Sequence, residues 1–311
     1  MLALLLLFTF SFCKFEKEWS EFKSKFGKTY SSENEKHRFK IFKDNMNYAN
    51  LLNRIDKSAT YGVTKFSDLT SEEFNSKFTN YIPLANYELE SSGNYTTGLK
   101  DTIPDTFDWT TVPGVLNSVQ DQGSCGSCWS FASTAVMESV YAIKHNTLYK
   151  LSEQQLVDCD STNSGCNGGN LSLAAIYLKK NGQTSEDSYP YAGVDQTCKK
   201  FTPIVKLNSY KIVAKDEDEM RKALVQNGPL AIAINANPVQ FYTGGVLRPS
   251  VCSPNGINHA VVAVGYDIKA ADPYWKIRNS WGSNWGENGY FRLYYGENTC
   301  GVSEDVLTYF A

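Results

Sequence analysis

Seven cysteines fall between positions 125 and 300, and none between 14 and 124. They are Cys125, Cys128, Cys159, Cys166, Cys198, Cys252 and Cys300. The odd number is the constraint. In an oxidising compartment six would close into bridges and one thiol would be left over. Sequence alone leaves the pairing of the six open. Cys128 opens a helix-like stretch, and a thiol at a helix N-terminus feels the positive end of the macrodipole. That field favours the thiolate, the nucleophilic form. Cys125 and Cys128 also resemble half of a metal site. No second pair of that spacing follows and no His stands at finger spacing, so no metal is expected.

The oxidising context is itself an expectation. Residues 2–12 are uncharged and mostly apolar. The run is too short to span a bilayer as a helix, so no membrane span is expected. Charged, helix-like sequence starts at Lys14. Residues 1–13 therefore read as a signal peptide, although without the usual basic start. A buried helix and a lipid site at Cys13 compete with this reading. Phe12 is bulky where lipid sites take a small residue.

The rest of the chain changes texture three times. Phe15, Trp19, Phe22 and Phe26 step by four, three and four, so they share one helical face. Phe39, Phe42, Met46 and Ala49 make a second stripe, and Ser71–Phe74 starts a short third helix capped by Thr70 or Ser71. Residues 79–103 lose periodicity and read as a turn-rich linker open to cleavage. Asn94 and Asn170 head glycosylation sequons; the second falls beside the expected cleft, where a glycan would interfere. Up to about residue 210 the pattern is helical. The stripe from Cys128 continues through Phe131, Ala135, Ser139 and Ile143. Residues 151–157 read as a helix capped by Ser152, and residues 171–180 as another. Beyond 210 the segments 229–235, 260–265, 274–278 and 289–294 read as short strands between Gly/Asn turns. One helical and one β-rich half predict two lobes with a cleft between them.

Charge divides along the same line. Residues 14–100 carry 14 Lys+Arg and 12 Asp+Glu, net +2, and residues 101–311 carry 16 and 21, net -5. The two parts attract weakly. The total of -3 gives no reason to expect nucleic acid or an anionic membrane surface.

A thiol that cleaves peptides needs a base, a group that fixes the base's tautomer, and donors for the oxyanion. Beyond residue 103 only His145 and His259 are present. His145 sits in a polar helix end. His259 opens an apolar β-like run, where a lone His is more often structural than catalytic. Asn279 lies in Trp-Lys-Ile-Arg-Asn-Ser-Trp-Gly; it could orient an imidazole or simply end a strand.

The string Gln122-Gly-Ser-Cys125-Gly-Ser-Cys128-Trp resembles the signature around the nucleophile of papain-type cysteine proteases of the cathepsin L-like kind. The string around Asn279 is similar to the same family, and His259 follows Cys128 at the family's separation. Arg38, Phe42, Asn45 and Asn53 resemble the interrupted motif of its propeptides; Asn34 stands where Glu is usual and Ala49 where Ile is usual. Gly62, Phe66 and Asp68 resemble a second propeptide motif. The resemblance covers about residues 15–305.

It implies an α+β, papain-like two-lobed fold: a helical left lobe, a β-barrel-like right lobe and an N-terminal helical inhibitory propeptide. Residues 14–102 would be the propeptide, laid through the cleft opposite to substrate, and residues 103–311 the peptidase domain. Cys128 and His259 would act as thiolate and imidazolium, each charge favouring the other. Asn279 would orient His259, with Trp281 shielding that bond. Gln122 and the Cys128 backbone N–H would receive the oxyanion. The implied bridges are Cys125–Cys166, Cys159–Cys198 and Cys252–Cys300. Gly168 and Gly169 would form the glycine wall, where substrate backbone can pair as a strand.

Specificity would come from the pocket for the second residue before the cut, formed by Leu171, Ala233, Ile257, Ala260 and Asp305; Asn258 and Trp281 would also contact substrate. Asp305 pointing inward would favour Arg there. The implied partners are protein or peptide substrates, the chain's own propeptide and cystatin-like inhibitors, with no cofactor and a monomeric state. Acidification should release the propeptide by protonating paired carboxylates. The location implied is the secretory pathway, in a lysosome-like compartment or outside the cell. No insertion near 166–198 or 252–259 is long enough to block the cleft, so an endopeptidase is expected. A catalytically dead homologue would have lost Cys128, His259 or Asn279. A dithiol oxidoreductase using Cys125 and Cys128 would leave an odd cysteine unexplained.

Overall fold

A computed structural model describes residues 15–84 and 103–311. The expected signal run and the Asn94 sequon lie outside the described residues.

The N-terminal segment folds around its aromatic stripes. Helix α1 covers residues 15–26, and α2 runs Ser32–Ile55. Trp19 stacks on Phe22 at 5.3 Å and leans on Phe42 at 5.3 Å. Phe42, Met46 and Ala49 are buried as the stripe predicts, whereas Phe39 is half-buried at its edge. Helix α3, Ser71–Phe78, is capped by Thr70 with Glu73 returning the bond to the Thr70 N–H, which satisfies two orphan donors. Arg38 forks onto Glu73 at 2.6 and 2.7 Å and fixes α2 against α3. The Asn45 amide donates to the carbonyls of Ser67 and Leu69, and Asn53 brackets Tyr61 through both backbone groups. The segment is not purely helical. Strand β1, Ala59–Tyr61, pairs antiparallel with β5, Tyr242–Leu247. A three-residue strand carries too little alternation to be read from sequence.

Past residue 103 the chain forms two lobes. After β2, Thr106–Asp108, helix α4, Cys128–His145, runs through the core. It is buried on all sides from Cys128 to Val140, so the stripe is wider than expected there and shorter at the end. Ile143 is 38% exposed where burial was expected, because the helix emerges from the core in its last turn. Helix α5, Glu153–Cys159, is capped by Ser152, and α6, Leu171–Asn181, by Asn170.

Strand β3, Ser209–Ile212, is followed by α7, Glu217–Asn227, a helix that the β-like texture beyond 210 concealed. It buries only Met220, Arg221, Ala223 and Leu224. Its signal was Asp216, whose side chain caps two N–H groups. The remaining strands are β4 Leu230–Ile234, β6 His259–Asp267, β7 Tyr274–Arg278, β8 Tyr290–Tyr294 and β9 Asp305–Phe310. The sheet order is β1-β5-β8-β7-β6-β4-β9-β3, with β2 on β6. Three disulfides join Cys125–Cys166, Cys159–Cys198 and Cys252–Cys300. Cys128 is left as a free, buried thiol. Because Cys125 is bonded to Cys166, the Cys125/Cys128 spacing is neither a metal pair nor a dithiol.

Candidate active site

Two elements face each other across the interlobe cleft. Helix α4 presents Cys128 at its first residue, and β6 presents His259 at its first residue. Helix α4 packs against β6, and Cys128 and Ala260 fall in one buried apolar cluster, which places the strand start beside the helix start. His259 Nε2 lies 2.8 Å from Asn279 Oδ1. That oxygen also accepts from the Ser280 N–H at 2.8 Å, which fixes the amide's orientation. An amide oxygen only accepts, so His259 carries its proton on Nε2. The Nδ1 atom is buried with no partner among the described residues and offers a lone pair. Trp281 stacks on the imidazole at 4.6 Å and keeps water from the His259–Asn279 bond.

Gln122 is buried and doubly held. Its Oε1 accepts from Ser280 Oγ at 2.6 Å, and its Nε2 donates to the Cys125 carbonyl at 2.8 Å. Ser280 escaped sequence reasoning; its place in the string after Asn279 was the available signal.

The cleft is filled by the chain's own N-terminal segment. The Phe78 carbonyl accepts from Gln122 Nε2 at 3.3 Å and from Trp281 Nε1 at 3.2 Å. Next along the chain, the Thr79 carbonyl accepts from Cys128 Sγ at 3.1 Å. Asn80 and Ile82 then bond Gly169 through its N–H and its carbonyl, in parallel pairing at Tyr81. A Cβ at Gly168 would come within 2.3 Å of the Asn80 carbonyl, and Gly168 has φ +117°. The close approach therefore requires glycine there. The Tyr81 N–H donates to the Asn258 carbonyl at 2.8 Å.

Tyr81 points into a pocket whose wall is set by strand register. Ala233 on β4 pairs with Ala260 on β6 and with Asp305 on β9. The three are cross-strand neighbours in one row, on one face of the sheet. Leu171, Cys128 and Tyr81 join Ala233 and Ala260 in one apolar cluster, with Ile257 packed against it. The Tyr81 hydroxyl donates to the Asp305 carboxylate and accepts from Asn170 Nδ2 at 2.8 Å. Asn170, absent from the expected pocket set, is buried. Its place just before an apolar helix was the cue.

Burial sets the charge state of the pair. It pushes the Cys128 thiol up to about 12, against the opposing backbone N–H groups, and the His259 imidazole down to about 4, against the Asn279 bond. The Thr79 carbonyl can only accept, so its bond to Cys128 also requires a protonated thiol. With the N-terminal segment in place the two groups are neutral, not the expected ion pair. The reason is the loss of water around both charges.

Comparison with known proteins agrees with this geometry. Residues 103–310 match the description of the papain family cysteine protease, and residues 19–74 that of the cathepsin propeptide inhibitor domain. Cysteine proteinase 15A of Pisum sativum is 41% identical over 316 residues, covering 94% of this chain and 86% of that protein. Cathepsin F of Mus musculus is 39% identical, covering 92% of this chain and 63% of its own length. Among solved structures, digestive procathepsin L2 proteinase from the larval midgut of Tenebrio molitor has a TM-score of 0.88 at 32% identity, covering 96% of this chain and 100% of that one.

Proposed function

Because the chain belongs to the papain family of cysteine proteases and carries a cathepsin-type propeptide inhibitor domain, we propose that it is an endopeptidase made as a self-inhibited zymogen, with Cys128 as nucleophile and His259 as base. The carrying observation is the His259 Nε2–Asn279 Oδ1 bond, which leaves Nδ1 buried without a partner among the described residues and open to take a proton. Removing residues 14–102 rehydrates the pair, and the proton passes from Cys128 Sγ to His259 Nδ1. The thiolate attacks the peptide carbonyl carbon. Its oxygen takes the charge and meets the Gln122 side chain and the Cys128 backbone N–H. His259 returns the proton to the leaving amine, and a thioester remains on Cys128. Water then attacks the thioester while His259 takes its proton, and the thiol is restored. The reaction needs a reduced thiol and no cofactor.

Direction supports inhibition. Residue 79 lies at Cys128 and residue 81 in the pocket, so the propeptide runs N to C from nucleophile to pocket. A substrate whose second residue before the cut fills that pocket runs the other way. The Asp305 carboxylate in the pocket supports a preference for Arg at that residue, since a guanidinium pairs with it. Three disulfides support passage through the secretory pathway; a lysosome-like compartment or the outside, a monomeric state and cystatin-like inhibitors are what the family likeness adds.

The test compares fluorogenic dipeptides with Arg or Phe at the second residue before the cut, using acid-activated enzyme, reductant and a Cys128→Ala control. Cleavage that favours Arg and is lost in the control is the expected result. No cleavage after verified propeptide loss would reject the protease reading.

A further inference from the structure

We propose that this enzyme selects tyrosine over phenylalanine at the second residue before the cut, with Asn170 as the side chain that reads the hydroxyl. The inference rests on the pocket assignment above. Tyr81 of the propeptide occupies that pocket and is 4% exposed. Its hydroxyl is satisfied in both senses, donating to Asp305 and accepting from Asn170 Nδ2. A pocket serving apolar side chains alone would leave an amide N–H and a carboxylate unpaired at its end.

The amide cannot reverse. Asn170 Oδ1 caps α6 by accepting from the N–H groups of Ser172 at 2.8 Å and Leu173 at 3.4 Å. A flipped amide would set donors against donors and uncap the helix. The Asn170 N–H is held by Asn163 Oδ1 at 2.8 Å, so the backbone is pinned as well. The second Nδ2 hydrogen goes to the Ile82 carbonyl at 3.0 Å. The pocket therefore presents a fixed donor next to a fixed acceptor, spaced for one oxygen to bridge.

Phenylalanine would fill the apolar wall and leave both groups without a partner, and a site built for a hydroxyl rejects the analogue lacking it. Arginine carries donors only, so it satisfies Asp305 and sets its N–H groups against the amide. Recognition of Arg thus depends on Asp305, and recognition of Tyr on Asp305 and Asn170 together.

The experiment uses enzyme expressed as the full chain and then acid-activated, with fluorogenic dipeptides carrying Tyr, Phe or Arg at that residue. Wild type should cut Tyr over Phe by about tenfold in kcat/KM. Asn170→Ser keeps a helix-capping oxygen and is too short to reach the phenol. It should bring the Tyr/Phe ratio to within about threefold of unity while keeping the Arg/Phe ratio. Asp305→Asn should reduce both ratios. Thermal melting and normal propeptide processing of each variant verify folding. Equal cleavage of Tyr and Phe by wild type, or an unchanged Tyr/Phe ratio in Asn170→Ser, overturns this inference alone. No cleavage of any of the three overturns the protease reading and this inference with it.

Discussion

The Cys128 thiol donates to the Thr79 carbonyl across 3.1 Å. The proposed nucleophile is thus capped by a residue of the N-terminal segment, and the cap itself requires the protonated thiol. The proposed latency would be electrostatic as well as steric, because burial also pushes the His259 imidazole down to about 4.

Alkylation of Cys128 should follow from that bond. With the thiol raised to about 12 in the intact chain, iodoacetamide at neutral pH should label it on the order of 100-fold more slowly than after propeptide removal. Mass spectrometry of the Cys128 peptide measures both rates. Equal rates would mean that the thiol is already open and ionised in the zymogen.

Asn279→Ala removes the acceptor at 2.8 Å from His259 Nε2 and frees the ring to rotate under Trp281. The activated variant should lose about 10- to 100-fold in kcat/KM, mostly in kcat. A loss confined to KM would assign Asn279 to substrate contact instead.

Phe66 is buried between Phe74 and Trp281, with ring centroids 5.1 Å from each. It ties the propeptide to the ring that covers His259. Phe66→Ala should weaken docking by about 3–5 kcal/mol, so that unprocessed chain hydrolyses a small substrate at neutral pH without acid treatment. Full latency in this variant would place the holding contacts elsewhere, in the backbone pairing at Gly169.

The Arg38 fork holds the Glu73 carboxyl down to about 2. A carboxyl depressed on folding contributes stability above its unfolded value, near 4.3, and loses it as pH falls toward about 2. The pair therefore stays formed in mildly acidic conditions, and the proposed acid release of the propeptide would have to draw on other groups. Glu73→Gln should destabilise the N-terminal segment by about 1 kcal/mol at pH 7 and by a similar amount at about pH 5, with the difference closing below about pH 3. Urea titration of both chains checks this. A difference already gone at pH 5 would mean that the pair titrates in mild acid.

Much of the site was legible because its signals are short-range. Cys128 opens a helix and His259 opens a strand, as their flanking patterns indicate. Ser152 and Thr70 cap helices as their positions suggest. The strands missed were β1, β2 and β3, of three, three and four residues, and β5 and β9, of six each; the adjacent Gly244 and Gly245 break the apolar pattern of β5. Helix α7 was missed for another reason. Its acidic first turn and narrow buried face resemble a loop until Asp216 is recognised as a cap.

Sequence by itself determined which residue types could do the chemistry: one thiol in excess of three bridges, a histidine at an apolar run, an asparagine between tryptophans. Tertiary structure alone decided what meets in the pocket. Tyr81 and Asp305 are 224 positions apart, and their contact depends on the register that sets Asp305 beside Ala233 and Ala233 beside Ala260. The Asn170 amide faces the pocket because its oxygen is held by the helix it caps. Periodicity along a chain reports which face of an element is buried, whereas partners across the fold depend on how separate elements pack and pair.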